Sequence, residues 1–139
     1  MNKKLLSKTF LALTLVTGDA SAANGVAVIA HPSVTKLDAT TVEKIFTGKV
    51  IDVGGAAVVA INAVRGSMVR TRFLQAFLNQ DEERYTAYWT VRRYNGLGAP
   101  PKEVQSSADV IKLVMSTPGA IGYIDEADVK PGMNVLVAK

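Results

Sequence analysis

A chain of 139 residues is long enough for one packed domain and hardly for two. Hydrophobic residues make up 48% and charged residues 20%, an ordinary globular balance, and the lack of cysteine excludes a disulfide framework and a thiolate metal site. The formal net charge is +4, but Lys3, Lys4 and Lys8 fall in the first 22 residues against Asp19; the remainder carries 13 basic and 11 acidic residues, which removes the main support for nucleic-acid binding.

Residues 1–22 read as a secretory signal peptide: a positive start, a short apolar run from Thr9 to Val16, and a small-residue cleavage site at Ala20-Ser21-Ala22. That run is too short for a permanent membrane span, which needs about 20 residues. The expectation is an exported domain over 23–139, periplasmic or secreted, with no membrane insertion after cleavage.

In the domain, Val26 to Ala30 is an apolar, β-branched run that predicts a strand buried on both faces, ended by His31-Pro32. Asp38 caps a helix carrying Val42, Ile45 and Phe46, which Gly48 stops. Gly54-Gly55 predicts a turn, and Ala56 to Ile61 a second strand. A short turn, Asn62 to Gly66, leads to Ser67, which caps a helix with Val69, Phe73, Phe77 and Leu78 on one face. Asp81 caps a third helix, acidic at its start (Glu82, Glu83) and basic at its end (Arg92, Arg93), with Tyr85, Tyr88 and Trp89 facing inward. Asn95 to Pro101 is a breaker-rich loop. Ser106 or Ser107 caps a fourth helix, with Val110, Ile111, Val114 and Met115, and Thr117-Pro118-Gly119 ends it. Ala120 to Ile124 and Asn134 to Val137 complete the strands. Apolar strands alternating with helices predict a single three-layer α/β domain with a mainly parallel sheet. The loops after His31 and after Asn62 are then expected at the same sheet edge, where open α/β folds bind ligands.

That edge supplies the candidate ligand-binding residues. Gly66 and Ser67 form a strand-to-helix turn with free backbone N–H groups, a natural anion site, or simply a capped helix after a core strand. Arg65 and Arg70 put cations beside a helix start, where they oppose the dipole; a bound oxyanion would offset that cost, and removing either should leave stability unchanged or slightly improved. His31, the sole histidine, is read either as facing the same crevice or as an ordinary loop residue. One histidine without clustered carboxylates predicts no metal site, and Asp125, Glu126 and Asp128 read as a solvated turn. With no Gly-x-Ser-x-Gly elbow and no cysteine nucleophile, no catalytic residue is assigned; the Gly-Ser turn also lacks the lysine of a phosphate-binding P-loop. The expectation is a non-enzyme without a cofactor.

Several stretches, in order, resemble the phosphate-binding proteins of phosphate ABC transporters, of the type 2 periplasmic-binding-protein class. They are VAVIAHP, the helix LDATTVEKIFTGKV with its Ile45-Phe46-x-Gly48-Lys49 ending, the Gly66-Ser67 turn, Tyr88-Trp89, Gly96-x-Gly98-x-Pro100-Pro101, and TPGAIGYI at Thr117 to Ile124. The resemblance implies one lobe of such a receptor, corresponding to the second, with phosphate or a similar oxyanion as ligand and a membrane transporter as partner. Where that family has Ser-Gly-Thr, this chain reads Ser67-Met68-Val69, so Ser67 carries over and the second hydroxyl does not. The family's arginine ahead of the turn falls on Ala63, with Arg65 nearby. The alternatives are a protein-interaction module on the same fold, with a protein partner instead of a transported ligand, and an uncharacterised hydrolase.

Overall fold

The computed structural model of the chain describes residues 25–139; the expected leader, 1–22, lies outside the described residues. In chain order the elements are β1 (Val26–Ala30), α1 (Ala39–Phe46), β2 (Asp52–Val53), β3 (Ala56–Ala57), β4 (Val59–Ala63), α2 (Met68–Phe73), α3 (Glu82–Tyr94), β5 (Lys102–Val104), α4 (Ser107–Ser116), β6 (Ala120–Asp125) and β7 (Asn134–Ala138). After α2 the helix widens into a π-helical turn over Leu74–Leu78, and a 3-10 turn, Glu126–Asp128, follows β6. Asp38, Ser67, Asp81 and Ser106 each cap a helix through the side chain, as expected.

The main sheet has the order β5-β4-β6-β1-β7. β4 is parallel to β5 and to β6, whereas β1 is antiparallel to β6 and to β7. Four strands therefore share one direction and β1 opposes them, so the expected α/β domain with a mainly parallel sheet is the one found. The pleat sends alternate residues of the buried strands into two cores. Val26, Val28, Ala30, Ile121 and Tyr123 pack on α1, α2 and α3 with Phe46, Phe73 and Trp89; Ile29, Ala120 and Ile124 pack on α4 with Val110 and Val114. Helix α4 comes close because β6 carries Gly122: a Cβ there would stand 2.7 Å from the Val110 Cγ1. The result is three layers.

Two expectations need correction. The strand from Ala56 to Ile61 is divided at Val58: Ala56–Ala57 pairs with Asp52–Val53 in a hairpin around Gly54-Gly55, and β4 joins the main sheet. The second concerns direction. Because β1 runs against β4 and β6, its end lies at their amino edge, where the His31 amide donates to the Ala120 carbonyl at 2.9 Å. The loops after His31 and after Asn62 thus sit at opposite edges. An apolar strand buried on both faces has the same pattern in either direction, so its sequence does not encode which way it points.

Candidate functional site

β4 ends in a tight turn at the carboxyl edge. The Val64 amide donates to the Val104 carbonyl at 2.9 Å and the Ser67 amide to the Val64 carbonyl at 3.1 Å. Gly66 takes φ +87, which a side chain would resist. The Ser67 Oγ accepts from the Arg70 amide at 3.4 Å, a long cap. The amides of Met68 and Val69, ahead of it, belong to the first turn that a helix leaves without internal partners.

Arg70 does not reach toward solvent. It is 2% exposed and each of its three guanidinium nitrogens donates a hydrogen bond. Nε and Nη2 donate to the two carboxylate oxygens of Glu82 at 2.8 and 2.7 Å, and Nη1 donates to Glu103 at 2.7 Å and to the Ala63 carbonyl at 3.1 Å. Burial works against its charge, but the hydrogen bonds and charge of Glu82 outweigh it, so the group is held above its ordinary pKa. Arg65, more exposed, pairs with the same Glu82 at 3.1 Å. The stability cost expected of two free cations is therefore absent: carboxylates from α3 and β5 offset it.

Beneath Arg70 lies a buried polar chain. Asn62 donates to the Tyr85 hydroxyl at 3.1 Å, which donates to the Phe46 carbonyl at 2.9 Å. Tyr123 donates to the Asn62 Oδ1 at 3.0 Å and accepts from the Ala63 amide at 3.1 Å. Burial pushes both phenols above their usual pKa, Tyr123 far above. These bonds lock the end of β4 and hence the start of the turn.

The turn is a ridge between two cavities. One, about 140 Å³, lies under α3 and is lined by Arg65, Arg70, Tyr85, Trp89, Arg93 and Glu103 among others. The other, about 200 Å³, is lined by Ser67, Met68, Val69, Ser106, Ser107 and Asp125 with their neighbours. Two serine-capped helix starts open into that second cavity, since the Ser106 Oγ caps α4 by accepting from the Asp109 amide at 3.1 Å. Its carboxylate, Asp125, is paired with Arg72 at 3.0 Å.

The five sequence candidates are not gathered in one place. Ser67 lines the second cavity, Arg65 and Arg70 the first, and Gly66, between Arg65 and Ser67 in the turn, is not among the residues that line either. His31 stands at the opposite edge, its Nδ1 2.8 Å from the Ser33 Oγ. A larger cavity at that edge, about 520 Å³, has no charged side chain in its lining. Among the described residues no cluster of histidine and carboxylates is arranged to hold a metal, and no helix is long and apolar enough to cross a membrane. Sequence reasoning treated Ser106 as a cap only and gave no role to Glu82 or Glu103 at the site. The cap of Ser106 was visible; its meeting with Ser67 depends on β5 pairing beside β4.

No protein-family model and no curated protein sequence matches the chain. Solved structures do match its fold. One is assigned as a phosphate ABC transporter substrate-binding protein from Clostridium perfringens, with bound phosphate (TM-score 0.61, 23% identity, 81% of this chain and 44% of that one). Another is an ABC-type phosphate transport receptor from Vibrio cholerae (TM-score 0.61, 18% identity, 81% and 45%). A third is PstS from Borrelia burgdorferi (TM-score 0.58, 22% identity, 81% and 46%). The chain spans less than half the length of these proteins and has the fold of one part of them.

Proposed function

We propose that the chain is a solute-binding domain that takes phosphate or another small oxyanion in the cavity between Ser67 and Ser106. The observation that carries this reading is the meeting of two serine-capped helix starts in one cavity. First-turn amides attract anions through their unpaired N–H groups, and each serine hydroxyl can donate one hydrogen bond more. The Clostridium perfringens neighbour, solved with phosphate, makes phosphate the first ligand to test. Delivery to a membrane ABC transporter, export through the 1–22 leader and a periplasmic or secreted location belong to the same reading.

Binding is expected to be weak, about −4 to −6 kcal/mol, or millimolar to high micromolar. The cavity is open to solvent, Met68 and Val69 bring no hydroxyl, and Asp125 places a carboxylate in the wall. Calorimetric titration with phosphate and with sulfate tests the proposal. Saturable heat that weakens about fivefold in Ser67→Ala and again in Ser106→Ala supports it, each change removing about one hydrogen bond. No saturable heat with either anion would reject it. The protein-interaction reading would then be preferred, supported by Met68, which is 67% exposed beside the turn and offers an apolar contact.

A further inference from the structure

We propose that the 140 Å³ cavity under α3 is a second, separate site, which binds a small organic carboxylate with its anionic head on Arg93 and Arg65 and its apolar body against Trp89 and Pro100. This does not depend on the oxyanion site, which lies on the other flank of the Gly66 turn. Tyr85, Trp89 and Arg93 are spaced four apart on α3 and so share the face that lines the cavity. Three guanidinium groups and one carboxylate, Glu103, line it. Arg70 is committed to Glu82 and Glu103, and Arg65 shares Glu82. Arg93 makes no ion pair among the described residues, so its charge is available.

The wall is partly apolar. Trp89, 6% exposed, and Tyr85 line it from α3, and Pro100 lines it from the loop that follows. The volume suits a ligand of a few heavy atoms, too small for a peptide or nucleotide. An inorganic oxyanion would leave the exposed Pro100 uncovered, whereas a carboxylate with a short apolar or aromatic body covers it, beside the small part of Trp89 that reaches the cavity, while meeting the guanidinium fork.

Trp89 is the single tryptophan, so its fluorescence reports on this cavity directly. The wild-type chain is titrated with benzoate, and with benzylamine as a cation of similar shape, by fluorescence and by calorimetry in parallel. We expect a saturable benzoate response, none for benzylamine, and an unchanged benzoate isotherm in saturating phosphate. Arg93→Gln, at an exposed position, should weaken benzoate about tenfold, and Arg65→Gln should weaken it too. The proposal is overturned by the absence of a saturable benzoate response in both measurements, by equal binding of benzylamine, by competition from phosphate, or by Arg93→Gln binding as tightly as wild type.

Discussion

Replacing Arg70 by alanine separates a structural arginine from a ligand-holding one. The substitution removes four donated hydrogen bonds, three of them to carboxylates, from a side chain that is 3% exposed. Breaking a buried ion pair by deleting one partner costs about 3–5 kcal/mol, because a charge is stranded. Here the side chains of Glu82 and Glu103 are 32% and 39% exposed and can turn partly to water, which lowers the cost. The Ala63 carbonyl loses a partner as well. The net is about 2–3 kcal/mol, a large share of the 5–15 kcal/mol of a typical domain. In urea melts followed by circular dichroism the midpoint should fall by about 1–2 M, given a slope of roughly 1–3 kcal/mol per molar. Adding Glu103→Gln to the alanine variant should recover about 1 kcal/mol, since Glu82 keeps Arg65 as a partner and Glu103 is the charge left stranded. An alanine variant within about 0.5 kcal/mol of wild type would refute the network argument and restore the view of Arg70 as a dispensable cation.

Other expectations follow from the same geometry. Tyr85 and Tyr123 keep their protons to higher pH when folded than when unfolded. Stability is therefore full below the unfolded tyrosine pKa of about 10 and should fall as pH rises beyond it, by about 1.4 kcal/mol per pH unit for each tyrosine; urea melts that show no loss on crossing that pH would contradict this. Gly122→Ala forces a methyl against Val110 and Val114, at 2.7 and 3.2 Å, and should cost about 1–3 kcal/mol in the same melts, with an unchanged midpoint as the contrary result. Asp125→Asn removes an anion from the second cavity and frees Arg72, so phosphate affinity measured by calorimetry should rise about fivefold; a fall would mean that the carboxylate supports the ligand.

Local signals carried much of the fold. Asp38, Ser67, Asp81 and Ser106 cap helices because their short polar side chains satisfy first-turn amides, a property of a few adjacent residues. Val26–Ala30 is a buried strand because all five residues are apolar. Facts that depend on distant pairing were not legible. Strand β5 is Lys102-Glu103-Val104, an edge strand too short and polar to show a period. The direction of β1 was hidden by its uniformity, and with it the separation of His31 from Ser67. Arg70 looked like a free cation because its partners lie 12 and 33 residues away, Glu82 on another helix and Glu103 on that edge strand. The turn itself was found from Gly66-Ser67, but its division of two cavities required the sheet order.

The most direct test of the oxyanion site is a phosphate titration followed by amide chemical shifts in a nitrogen-15 labelled sample. Saturable shifts are expected at Met68, Val69, Ser107 and Ala108, the first-turn amides of α2 and α4, weakening as ionic strength rises because the site is partly solvated. Shifts confined to other residues, or none that saturate, would contradict it.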